Sequence, residues 1–147
     1  MTIGIMSCVS TKLKGTHKAK DIYISNLFNK SYEYCIKKYD LIIILSAKYY
    51  VLNLDDEINY YDLTLNKFSE KQKIAWAARC YIQLKNKHLL NNNNEIFWHC
   101  GINYNIYISQ LINNYFPDIK QNFLLKGLTL RNQLKWYKEK NKIIRIL

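Results

Sequence analysis

Within Ser7-Cys8-Val9-Ser10-Thr11-Lys12, three hydroxyls, a thiol and an amine fall into six residues directly after an apolar stretch. A turn of that kind, with small polar donors and free backbone N–H groups, suits a phosphate or the edge of a base. Serine and threonine are also ordinary turn and capping residues, so the segment alone names no reaction. A second segment, Ser46-Ala47-Lys48-Tyr49-Tyr50, follows a run too apolar to end in serine and lysine for packing reasons alone. Taken alone, Lys48 reads first as a plain return of the chain to solvent.

A third segment is His99-Cys100-Gly101-Ile102-Asn103-Tyr104. Gly101 lets the backbone turn or approach a ligand closely. His99 beside Cys100 suggests a nucleophile with its base, but adjacent strand residues point to opposite faces. Cys100 therefore reads as a small buried hydrophobe. His17, His88 and His99 show no metal spacing with one another or with Cys8, Cys35, Cys80 and Cys100, so no zinc and no other cofactor is expected. Neither a Gly-x-Gly-x-x-Gly nor a Walker loop is present, which disfavours dinucleotide and P-loop nucleotide chemistry.

The elements that must position these segments follow from periodicity. Thr2 to Val9 reads as a strand and Ser10 to Lys20 as a turn-rich loop. Ile24, Phe28, Tyr32, Cys35 and Tyr39 recur at three and four, predicting a helix over 21–39. Leu41 to Ala47 is a continuous apolar run, as expected of a central parallel strand covered on both faces. Residues 51–68 show no sustained period and read as a long structured connection, a kind that is often functional. Ser69-x-x-Gln72 matches a capping box and opens a helix to about Lys87. Glu95 to Cys100 reads as a third strand, residues 104–116 and 129–140 as helices, and 142–147 as either an edge strand or a docked tail. Strands alternating with helices predict an α/β fold of three layers, a mainly parallel central sheet with flanking helices, in one domain over 1–147. In such sheets ligands bind beyond the carboxyl ends of the strands, where all three polar segments fall.

Composition narrows the classes. The chain is 49% hydrophobic with thirteen tyrosines, too apolar and aromatic for disorder. The opening residues lack a basic leader, and the longest apolar run, Leu41 to Leu45, is far below the roughly 20 residues of a membrane span. A cytoplasmic protein with reduced thiols and no membrane partner is expected. The net charge of +11 is concentrated in residues 1–38 and 126–147, while the middle is neutral. If the two ends meet, they form a positive face that attracts phosphates; an AT-rich genome writing lysines onto a solvated surface explains the same charge.

Together the segments resemble a bacterial and phage family, domain of unknown function 6884. The resemblance rests on Ser7 to Lys12, Asp21 to Phe28, Leu45-Ser46-Ala47-Lys48-Tyr49 and Tyr61-Asp62-Leu63-Thr64-Leu65, and extends to Ala75-Trp76-Ala77, Gly101 with Tyr104, and Gly127-Leu128 with Gln133, Leu134 and Trp136. The chain departs from the family pattern at Tyr50, where a small residue is usual, and at Tyr60, where proline is usual. More distantly it is similar to the YaaA peroxide-stress proteins and the central domain of archaeosine synthase, whose core resembles uracil-DNA glycosylases. That resemblance implies nucleobase chemistry on a nucleic acid or nucleotide. It implies Asp62 as general base or electrostatic group, with Ser46, Lys48 and Ser10 receiving charge on a departing base. Ser7, Cys8, Lys12 and Gly101 then belong to substrate binding, and Tyr23, Tyr49, Tyr61 and Tyr104 are candidates to stack on a base, although core packing must hold most of the thirteen tyrosines. Two rival classes stay open: a non-catalytic DNA- or RNA-binding accessory protein of phage or host defence, and a protein-binding inhibitor using exposed tyrosines.

Overall fold

The structure, a computed structural model, describes residues 1–146. Its strands are β1 (Thr2–Ser7), β2 (Thr16–Lys18), β3 (Leu41–Ser46), β4 (Tyr50–Asn53), β5 (Glu57–Asn59), β6 (Glu95–His99) and β7 (Lys120–Asn122). Its helices are α1 (Ala19–Ile22), α2 (Asn26–Lys38), α3 (Glu70–Asn86), α4 (Ile102–Tyr115) and α5 (Leu130–Ile146), with one 3-10 turn at Leu65–Lys67. The main sheet has five strands in the order β4-β3-β1-β6-β7. β3, β1, β6 and β7 run parallel, and β4 is an antiparallel edge. This is the expected three-layer α/β arrangement.

Side-chain alternation along the parallel strands divides the interior into two cores. Ile3 and Ile5 of β1, Ile43 and Leu45 of β3, and Ile96 and Trp98 of β6 pack under α3 and α4. Met6, Ile42 and Ile44 face the other way and pack under α2 and α5 with Phe28, Tyr34, Cys35 and Tyr137. Gly4 sits on the second face, where a Cβ would run into the Tyr39 ring; the missing side chain lets that ring lie flat on the sheet. His99 and Cys100 separate as strand geometry requires, His99 among the aromatics beneath α2 and α5 and Cys100 in the core of α3 and α4. All four cysteines are buried free thiols.

The helix expected over 21–39 is broken. Tyr23 is extended and buried, and Ser25 restarts the helix by accepting a hydrogen bond from the Phe28 N–H at 3.0 Å. The capping box at Ser69 and Gln72 is present in both directions. The connection over 51–68 contains β4, β5 and the 3-10 turn, and the loop over 10–20 contains β2, which pairs with β5. These pieces are three or four residues long, too short for a period to register. The segment from 142 is neither an edge strand nor a tail: α5 runs on to Ile146, anchored by buried Asn141, whose amide donates to the Lys30 carbonyl at 3.0 Å, and by the Arg145–Glu33 ion pair. Leu147 lies outside the described residues. The edge beyond β6 is β7, which the sequence did not announce. Among the described residues, no helix is long and apolar enough to cross a membrane.

Candidate functional site

β1 feeds α1 and α2 on one face of the sheet, whereas its neighbour β6 feeds α4 on the other. The two chains part above the carboxyl ends of these strands, the place where open α/β sheets bind ligands. A cleft of about 1290 Å³ opens there. Its near wall is the turn after β1, including Ser7, Cys8, Ser10 and Lys12; its side walls are Asp62 to Thr64 with Asn66, and Gly101 to Asn105; its far wall is the crossing from β7 to α5, Phe123 and Leu125 to Arg131. Gly127, at φ +77°, makes the tight turn in that crossing.

Of the residues expected at the site, Asp62, Ser7, Cys8, Ser10, Lys12, Gly101 and Tyr104 line the cleft. Cys8 and Tyr104 share a hydrogen bond, Sγ to OH, of 3.2 Å, which joins the turn after β1 to the first turn of α4. Burial raises the Tyr104 phenol pKa, so it stays a neutral donor. Asp62 is exposed and, among the described residues, makes no hydrogen bond or ion pair. It is the one carboxylate on the lining, where the cations are Lys12, Lys126 and Arg131.

Ser46, Lys48, Tyr23, Tyr49 and Tyr61 lie outside the cleft and form its backing. Ser46 is fully buried. Its hydroxyl accepts the backbone N–H groups of Lys48 (3.2 Å) and Tyr49 (3.0 Å) and donates to the Tyr61 oxygen at 2.8 Å. Tyr61 OH in turn lies 2.8 Å from Tyr23 OH. Burial raises the pKa of both phenols. Tyr49 packs edge-on against Tyr61, and exposed Lys48 holds its ammonium 5.4 Å from the Tyr49 ring. This chain of hydroxyls fixes the hairpin between β3 and β4 and supports Tyr61, the residue before Asp62. Lys12 completes the link, its ammonium 4.5 Å above the Tyr61 ring. Ser46 therefore reaches the cleft only through Tyr61 and Lys12.

The floor holds a group that sequence reasoning missed. His99 Nε2 is 2.5 Å from the Tyr39 hydroxyl and Nδ1 is 2.6 Å from the Tyr137 hydroxyl. Burial pushes the imidazole pKa down to about 3, so one nitrogen donates and the other accepts. Ser31 lies beside them, buried on the cleft lining, its hydroxyl without a hydrogen-bond partner among the described residues. One strand and two helices, β6, α2 with its cap residue Tyr39, and α5, supply this cluster, so no local spacing could reveal it. Lys126 and Arg131 were likewise invisible as site residues, because only the β7 crossing brings them to the mouth.

No curated protein and no solved structure gives a match. The family of unknown function DUF6884 matches residues 3–139, a span that includes every segment lining the cleft, and the chain belongs to that family.

Proposed function

We propose that the chain acts on a nucleic acid or nucleotide at this cleft, with an N-glycosidic bond as the reacting bond and Asp62 as its carboxylate. One observation carries the reading: a lone carboxylate, without an ion-pair partner among the described residues, shares the lining of a cleft at the switch point of the sheet with three cations, Lys12, Lys126 and Arg131. A nucleotide has the complementary charge pattern, an anionic phosphate beside a sugar carbon that becomes cationic as the base departs.

In the proposed step the bond between C1′ and the base nitrogen breaks, and its electron pair leaves with the base. The Asp62 carboxylate stabilises the positive charge at C1′ and takes a proton from the water that adds there. The Lys12 ammonium supplies the proton that neutralises the base and regains one from Asp62 after the water has added, while the neutral Tyr104 phenol only donates a hydrogen bond. Phosphates sit against Lys126 and Arg131, and the hydroxyl of Ser10 holds the base edge. The test is release of free base from nucleosides and from oligonucleotides carrying normal and deaminated bases, followed by chromatography. Asp62→Asn should lower release by about 100-fold or more while leaving binding and melting unchanged. Undiminished release overturns the role.

A second reading is non-catalytic recognition of nucleic acid in the same cleft. The position of Ser46 and Lys48 behind the cleft favours it, because it leaves fewer groups to receive charge on a leaving base. It predicts binding without release by the unaltered protein.

A further inference from the structure

The basic residues of α5 are spaced with a regularity that net charge alone does not require. Arg131, Lys135, Lys138, Lys142 and Arg145 follow one another at four, three, four and three residues, so they form a single row along one side of the helix. All five are exposed. At 1.5 Å per residue the row is roughly 21 Å long, about six phosphate steps of a strand at 3.4 Å each. Its first member, Arg131, lines the cleft, and Lys126 stands beside it on the same wall.

The opposite side of α5 is already used. Tyr137 and Asn141 are buried, and Trp136 and Ile144 pack into the core shared with α2. The helix therefore cannot roll to lay an apolar face into a bilayer, as a surface-seeking amphipathic helix must. α2, its packing neighbour, adds Lys30, Lys37 and Lys38, so the two helices carry nine basic side chains against Glu33 and Glu139. Glu33 is occupied by Arg145 and Lys30, and Lys135, Lys138 and Lys142, the centre of the row, form no ion pair among the described residues, with Glu139 the one acidic side chain of the helix.

We infer that the outer row of α5 is a track for the sugar–phosphate backbone of a polynucleotide, leading from solvent into the cleft at Arg131. The inference rests on the reading of the cleft as a nucleotide site and specifies its substrate as a polymer. Base contacts have no place on the row, so binding along it is insensitive to sequence and steep in salt.

The experiment measures binding of labelled 20-nucleotide single strands of DNA and RNA by fluorescence anisotropy between 50 and 200 mM KCl. The full chain is compared with the triple variant Lys135→Glu, Lys138→Glu, Lys142→Glu and with Asp62→Asn; thermal melting confirms that each is folded. The triple variant should bind at least about tenfold more weakly at low salt, and its slope of log affinity against log salt should be shallower by about 2, three contacts at roughly 0.7 each. Anionic vesicles of phosphatidylserine and phosphatidylcholine should compete poorly. Unchanged affinity and slope in the triple variant overturn the track, as does tighter binding of the vesicles than of either oligonucleotide. The two proposals fail separately: loss of polymer binding in the triple variant with no base release by the unaltered protein keeps the track and ends the catalytic reading, whereas base release unaffected by the triple substitution, with unchanged polymer affinity, does the reverse.

Discussion

The Tyr137 hydroxyl lies 2.6 Å from Nδ1 of His99, and so the last helix is tied by a buried hydrogen bond to the end of the strand that opens the cleft. With Tyr39 on the other nitrogen, the imidazole is neutral and fully partnered. Protonating it would turn its one accepting nitrogen into a second donor and place a charge in an aromatic core.

Acid should therefore begin to loosen the fold as the pH falls below the ordinary imidazole value of about 6.5. The folded His99 pKa is depressed to about 3 from an ordinary 6.5, so between these values the unfolded chain binds a proton that the native one refuses. Stability falls as pH drops through that window, by up to about 1.4 kcal/mol per unit. Glu33, Asp40 and Asp55, all held low by cationic or N–H partners, add losses only below about pH 4.5. Urea melts at pH 7, 6 and 5 check this: His99→Gln should flatten the dependence in this range even though it lowers stability at pH 7.

Ser46→Ala should cost about 1–3 kcal/mol, because two backbone N–H groups and the Tyr61 hydroxyl lose their buried partner together. Tyr61→Phe removes the other end of the same contact. A double-mutant cycle read by urea denaturation should show coupling above about 0.5 kcal/mol; additive losses would mean that the two hydroxyls act independently.

Gly4→Ala puts a methyl group into the Tyr39 ring and should cost about 1–3 kcal/mol by overpacking. In a Tyr39→Leu background the same substitution should cost much less. Comparing the two by thermal unfolding separates a clash with this ring from a general intolerance of β1.

His88 terminates α3 at φ +60° and is exposed. Glycine takes that conformation without the Cβ penalty, so His88→Gly should raise stability by about 1 kcal/mol. The backbone carbonyl that accepts from the Asn91 amide remains in place. A melting temperature at or below that of the unaltered protein would contradict this.

How much was legible depended on whether a feature is local. The run Leu41 to Ser46 reads as a covered strand because every residue is apolar until the last, and the α3 cap reads from two residues three apart. Ser46 shows where locality fails. It shares the face of Ile42 and Ile44, and nothing nearby in sequence says that Tyr61, fifteen residues on, will cover it. Asp62 stood out through family resemblance rather than pattern. The far wall was hidden because β7 is a three-residue polar strand recognisable only beside β6.

That far wall and the helix behind it are the C-terminal part of the cleft lining. Residues 123–131 and the helix behind them must cross the top of the sheet before the cleft has two sides. A chain cut off before residue 123 would keep the turn after β1 and the first turn of α4 but would leave the cleft open on its far side.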